Sequence, residues 1–318
     1  MTCEPGRAGI VAARWVAAIL TMASCSCQGE RVVLGEGPPG EASIDTPVED
    51  FGPPQLVVEL IASDDSDTDD EKPTLTDDRL EIFFLSTRSG GLGGGDVWHA
   101  TRTTAADTWG APSLVAEVSS DAHEKSPAIS GDGLTLWVAS DRAGGRGGLD
   151  IWVSTRTTRT ADWLAPILVP ALNSPGDEIP RPPGQGGLVM PLGYRAPSKN
   201  SYQIEVASRG ALDASWQSPA LLAEVDTANI DVDGFLSADG KVLHFSSDRQ
   251  HMGDQDLFVA RRDAVGLPFA AFEPLSSLNT SHTDRDPWLS PAADEIYFSS
   301  DRSGELHIYR ATRVTPSP

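Results

Sequence analysis

From residue 51 onward, apolar residues come in short runs with no helical three-and-four rhythm. Leu80 to Leu85, Leu134 to Ala139, Val242 to Phe245 and Ile296 to Phe298 are rich in β-branched and aromatic residues, and polar turns bound each of them. Such runs read as strands joined by tight turns. Several are apolar on both faces, which suits sheets covered on both sides. Almost no helix is expected in this region.

The runs recur in a fixed frame. Pro127-Ala128-Ile129-Ser130-Gly131-Asp132-Gly133 leads into an apolar strand and then Ser140-Asp141-Arg142. The frame returns from Gly234 to Arg249, from Pro287 to Arg302 and from Pro73 to Arg88, with a worn copy from Pro180 to Arg195. Its starts at 73, 127, 180, 234 and 287 lie 54, 53, 54 and 53 residues apart, and the closing arginine is never missing. A register kept that closely marks a repeat architecture. A third run follows in each copy, as in Asp96-Val97-Trp98 and Asp150-Ile151-Trp152. A fourth stands behind an aromatic and proline header such as Trp109/Pro112 or Trp163/Pro166. Four short strands per repeat, stacked radially, make the blade of a β-propeller.

The last copy ends at Arg313 after its third run, and a matching fourth run, Leu56 to Leu60 behind Phe51 and Pro54, precedes the first copy. The expected fold is therefore all-β. It is a five-bladed β-propeller of four-stranded antiparallel blades, closed by the N-terminal strand pairing with the C-terminal blade. Residues 56–60 would form the outermost strand of that blade and leave no bare sheet edge in the ring.

Composition adds an address. A chain of 318 residues can bury a large core, and 24 Lys+Arg against 46 Asp+Glu leave a net charge of −22. That charge argues against nucleic acid and against direct contact with anionic lipid. Cys3, Cys25 and Cys27 are the only cysteines, so the body of the protein holds no disulfide framework, zinc knuckle or cysteine nucleophile. Arg7 and Arg14, the apolar run Trp15 to Met22 and the small residues before Cys25 read as a secretory signal over 1–24. The run is too short for a spanning helix, which needs about 20 residues. Gln28 to Asp50 is rich in Gly, Pro and Glu without periodicity, so 25–50 reads as a flexible tether ahead of a propeller over 51–318.

Met22-Ala23-Ser24-Cys25 resembles the lipobox of bacterial lipoproteins. The resemblance implies a lipid on Cys25 and an exported protein, periplasmic or at the cell surface. Serine after the cysteine favours attachment to the outer membrane. The frame Pro-x-x-Ser-x-Asp-Gly, strand, Ser-Asp-Arg, Gly-rich hairpin and Asp-Ile-Trp resembles the TolB-type, WD-repeat-like β-propeller repeat over about residues 51–313. It implies a binding platform more than a catalyst. Relatives of this kind carry an extra N-terminal domain or a C-terminal peptidoglycan-binding domain. This sequence shows neither, so those partners are not carried over.

Candidate chemistry is sparse. An acid stands three residues before each frame start: Asp70, Glu124, Asp177, Asp231 and Asp284. These five could ring one channel mouth as a site for a cation or a polyhydroxylated ligand. Alternatively each pairs with an arginine of the frame, Arg88, Arg142, Arg195, Arg249 or Arg302, to fix the blade loops. The fivefold recurrence of both sets favours pairing. Asp65, Asp67 and Asp69 alternate as calcium ligands can, but the glycine and glutamate of an EF-hand are missing, and a solvated acidic loop is the plainer reading. The Gly90–Gly95 and Gly144–Gly148 loops run into strands without a Lys-Ser/Thr pair and are hairpins, not phosphate loops. The six histidines form no metal spacing, and no Gly-x-Ser-x-Gly elbow occurs.

The expectation is a non-enzymatic, monomeric binding or scaffold propeller at the bacterial envelope. It would need no cofactor, touch the membrane only through its lipid, and engage a protein or glycan partner. The alternative is a carbohydrate-active enzyme using two mouth carboxylates. On the lipobox reading, Cys25→Ala abolishes partitioning with membranes. Fractionation checks this, and a variant that stays in the membrane pellet refutes it.

Overall fold

A computed structural model describes residues 50–62, 67–249 and 254–314 of the chain. The signal segment, Cys25, the tether up to residue 49 and Asp65 lie outside the described residues.

Twenty strands form five four-stranded antiparallel sheets. Blade one contains β2 (Asp70–Leu75), β3 (Glu81–Ser86), β4 (Asp96–Thr101) and β5 (Ser113–Leu114). Blade two contains β6 (Glu124–Ile129), β7 (Thr135–Ser140), β8 (Asp150–Thr155) and β9 (Ile167–Leu168). Blade three contains β10 (Asp177–Pro180), β11 (Val189–Arg195), β12 (Gln203–Ser208) and β13 (Ala220–Leu221). Blade four contains β14 (Asp231–Leu236), β15 (Val242–Ser247), β16 (Asp256–Arg261) and β17 (Ala270–Pro274). In blade five, β18 (Asp284–Leu289), β19 (Glu295–Ser300) and β20 (His307–Thr312) are joined by β1 (Gln55–Leu56). The first strands touch around the axis, β2 with β6 and β18, β6 with β10, and β14 with β18. Among the described residues, helix is confined to three short 3-10 turns.

Apolar side chains fill the seams between blades. One cluster joins Leu75, Phe84 and Trp98 of blade one to Trp288, Tyr297 and Ile308 of blade five. Another joins Ile204 of blade three to Phe245 and Phe258 of blade four. Both faces of each sheet are thus covered, as the two-sided apolar runs require.

The ring closes where expected, with a shorter strand than 56–60. Gln55 pairs with Arg310 and Leu56 with Tyr309, Phe51 bridges to Arg313, and Val58–Leu60 turn into a 3-10 helix. That turn drops Leu60, 1% exposed, into the core of the blade one seam and leaves Val58 on the surface. The fourth strands of blades one, two and three are equally brief at two residues, while that of blade four, β17, has five.

Four first strands carry a bulge at their third residue. Pairing shifts between Glu71/Thr74, Lys125/Ala128, Val232/Phe235 and Arg285/Trp288. Lys72, Ser126, Asp233 and Asp286 stand there at φ of 57°, 50°, 57° and 61°. Pro73, Pro127, Gly234 or Pro287 follows, residues that suit a position outside the ladder.

Deleting residues 51–60 strips the outer strand from blade five and Leu60 from its seam. We expect a loss of several kcal/mol and a clear fall in melting temperature. A truncated protein that melts with the full chain would show that closure does not stabilise the ring.

Candidate functional site

The frame acids are the first residues of the first strands and are buried in the seams. Arg88 Nη2 donates to Asp70 at 2.5 Å, Arg142 Nη2 to Glu124 at 2.9 Å and Arg249 Nη2 to Asp231 at 2.5 Å, and Arg302 pairs with Asp284. Each of these arginines also donates to the serine two residues before it and to a backbone carbonyl: Leu60, Val118, Val225 or Leu278. Each guanidinium also lies over an aromatic ring, for example 5.0 Å from Trp98 and 4.9 Å from Tyr309. The second oxygen of the acid accepts from the residue four before it, namely Ser120, Thr227 or Thr280 in blades two, four and five. These carboxylates are at most 1% exposed and fully bonded, so they lock seams and offer nothing to the channel.

Blade three departs from this by one residue. Asp70, Glu124, Asp231 and Asp284 lie opposite Ser86, Ser140, Ser247 and Ser300. In blade three, Asp177 lies opposite Arg195, and Glu178 opposite Tyr194. Glu178 takes the hydroxyl of Ser174, four residues before it, as Glu124 takes Ser120. Glu178 therefore occupies the frame position, Tyr194 replaces the serine and Ala196 the arginine. Counted by structure, the third frame starts at 181, one residue beyond the 180 of the sequence spacing. Asp177 and Arg195 do pair, but as a more exposed substitute, with the arginine side chain 40% exposed. Among the described residues Glu178 has no cationic partner. Burial, with Asp150 and Asp177 nearby, pushes its carboxyl up to about 7 against the opposing hydrogen bond from Ser174.

The bulge residues build a second buried cluster on the axis. Lys72 Nζ lies 2.6 Å from Asp286 and 3.4 Å from Asp233, and all three side chains are buried. Arg285 binds Glu71, and Arg181, 0% exposed, donates from Nη2 to the carbonyl of Pro287 at 2.7 Å. Burial and Asp286 push Asp233 up to about 6. Burial acts to raise Asp286 as well, but Lys72 and Arg285 overcome it and hold that carboxyl below the usual range. The spacing of repeats gave no sign of this cluster, since it joins side chains 161 and 214 residues apart.

Asp69 Oδ1 accepts the amide of Leu306, and Asp67 is also engaged. Among the described residues no three His, Cys, Asp or Glu groups converge as metal ligands.

The first strands all run the same way, so the frame acids mark one mouth and the hairpins after the first strands mark the other. A cavity of about 790 Å³ opens at the hairpin mouth. Leu75, Ile129, Phe235, Leu236, Trp288 and Leu289 from the ends of the first strands form its floor. Four hairpins of five residues surround it, but the loop 181–188 of blade three has eight and forms one wall through Pro182 to Gly187.

No protein-family model and no curated protein matches the sequence. Solved structures do match the fold. A thermostable family-43 glycoside hydrolase is 11% identical, covering 81% of this chain and 93% of its own, with a TM-score of 0.52. A glycosyl hydrolase from Bacteroides ovatus is 13% identical, covering 85% and 97%, with a TM-score of 0.50. TolB from Acinetobacter baumannii is 16% identical over 76% of this chain, with a TM-score of 0.48, and the match spans about half, 54%, of that TolB chain. At such identities the likeness is one of fold. The class is a five-bladed β-propeller.

Two substitutions separate paired from unpaired acids. Glu124→Gln weakens the hold on Arg142 and should cost about 1–3 kcal/mol at pH 8. Glu178 binds its proton more tightly folded than unfolded, so its stabilising contribution is complete below about pH 4.5 and is lost as pH rises through about 7. Glu178→Gln should therefore stabilise the protein at pH 8, by about 1–3 kcal/mol, and change little at pH 4.5. Denaturant melts at both pH values check the pair.

Proposed function

We propose that the protein is a non-enzymatic binding propeller of the bacterial envelope, exported, held by lipid at Cys25, and engaging a glycan or protein partner through its hairpin mouth. One observation carries this reading. Four of the five frame carboxylates are locked by arginine within seams, while the opposite mouth opens a wide, largely apolar cavity. Ligand pockets have this character, an apolar lining with a few polar groups at the edge.

The lipobox and the TolB-type frame support the envelope address. No helix among the described residues is long and apolar enough to cross a membrane. The chain re-emerges at the hairpin end of blade five, where Val314 donates to the carbonyl of Asp50.

The glycoside hydrolase reading has one observation in its favour, the Asp233–Asp286 pair with its unequal proton affinities. Lys72 bridges the two, and both acids are at most 1% exposed. A sugar ring would need that plug removed before reaching either acid.

Screening the purified chain against a glycan panel, with binding and release of reducing sugar followed together, tests the reading. Binding without turnover is expected. Turnover lost in Asp286→Asn but kept in Glu124→Gln would replace this reading with the hydrolase.

A further inference from the structure

The first hairpin places a carboxylate where the repeat has no use for one. Asp78, Asp132 and Asp239 share one turn position, and each accepts from its own turn: from Thr76 Oγ1 at 2.7 Å, Ser130 Oγ at 2.6 Å and Ser237 Oγ at 2.7 Å. Asp77 stands one residue earlier, where the other five-residue hairpins carry Gly131, Ala238 and Pro291. Its amide is tied to the carbonyl of Gly131 at 2.9 Å. Its carboxylate lines the cavity, accepts no hydrogen bond and has no cation within ion-pair distance among the described residues.

The neighbouring blade makes room for it. A Cβ on Gly131 would meet Asp77 Oδ2 at 2.3 Å. Gly131 is not among the glycines at positive φ, so space for the carboxylate, not backbone freedom, is what the missing side chain supplies. Asp77 is exposed at the rim of the cavity; partial desolvation there, with Asp132 and Asp78 nearby, raises the proton affinity of its carboxylate against the pull of Arg159. The nearby cation, Arg159, is committed to Asp78 at 2.5 Å. Arg209, on the far wall, is taken up by the carbonyls of Gly187 and Leu212 and by the face of Trp216.

The floor of the cavity is apolar, while Asp239, His244 and Arg313 also line it, Arg313 lying over the ring of Phe51 at 5.7 Å. Phe235 meets Trp288 edge-on at 6.2 Å, and Leu212 projects from the blade three wall, 63% exposed. The volume, about 790 Å³, falls in the range of small-molecule sites.

We propose that the hairpin mouth binds a small organic cation, an ammonium or guanidinium group on an apolar or aromatic body, with Asp77 taking the charge and the Phe235 floor taking the body. The proposal rests on the reading of this mouth as a binding surface and names its ligand chemistry. The cation supplies the partner Asp77 lacks and relieves its repulsion from Asp132, while the apolar body displaces water from the floor.

Calorimetric titration of the full chain tests it with three probes: phenethylamine, benzamidine and phenyltrimethylammonium. Isosteric 2-phenylethanol and 3-phenylpropionate serve as neutral and anionic controls. At least one cation should bind at millimolar concentration or better, with both controls at least about tenfold weaker. Asp77→Asn should weaken the cation by about tenfold or more, leave 2-phenylethanol binding unchanged and not lower the melting temperature. Gly131→Ala, which pushes the carboxylate aside, should weaken it too. If no cation binds, if the alcohol binds as well as the amine, or if Asp77→Asn binds the amine as the native chain does, the proposal is wrong. A glycan or protein ligand still bound in that case would leave the broader binding role standing, whereas glycan turnover would remove that role whatever the amines do.

Discussion

A carboxylate taken out of water at a seam between two sheets must find its counter-charge where it stands, or cost several kcal/mol. Four blades meet that condition in the same way. The acid opening the first strand receives a guanidinium from the end of the second strand, and the guanidinium also reaches the last turn of the preceding fourth-strand segment through Leu60, Val118, Val225 or Leu278. One group therefore ties three segments on both sides of a seam. The aromatic residue beneath it makes the cation part of the packing. Outer strands of two residues would hold a blade edge poorly by themselves. The arginine fixes the chain that leads from them into the next blade.

The axis is braced by different means. A bulge at the third residue of a first strand turns that residue out of the ladder, and four bulges place Lys72, Ser126, Asp233 and Asp286 around the centre. The backbone amides of Lys72 and Asp286 are satisfied by Ser299 and Ser246, each on the second strand of an adjacent blade. The Lys72 ammonium then spans blades one, four and five through Asp286 and Asp233. Burial works to discharge Lys72, but the two aspartates more than reverse this and hold its proton tightly. Such a cluster gives weak evidence of added stability, but it does specify which blades face one another across the centre.

The architecture was legible because repetition multiplies a weak signal. One Ser-Asp-Arg means little, yet a closing arginine at near-constant spacing marks strand, turn and blade together. Closure was legible from the fourth run found at the wrong end of the chain, though not the 3-10 turn that cuts it to two residues. In blade three the same regularity misled. Arg195 fits the spacing, but Tyr194 faces Glu178, and a one-residue slip in a strand sends alternate side chains to opposite faces. Only the pairing of β10 with β11 reveals that the frame acid there is Glu178. The axial cluster and the cavity could not be read at all, since both arise where residues from different repeats meet and no period within a repeat encodes them.

What the repeat does not explain gathers at one mouth. Asp77 satisfies no turn, Gly131 is at no positive φ, and the loop 181–188 exceeds its four counterparts by three residues. Gly184 in that loop packs so closely on blade four that a Cβ would meet the carbonyl of Leu236 at 2.9 Å. These departures belong to blades one, two and three, and all of them border the same cavity. By contrast, the first-strand end of blade three lost its arginine and kept a buried acid. A worn repeat can decay wherever the ring tolerates it. Here three departures border the hairpin mouth, while the one at the opposite mouth leaves Glu178 buried without a cation among the described residues. This asymmetry between the two ends of the same strands is what distinguishes the hairpin mouth from the acid end of the ring.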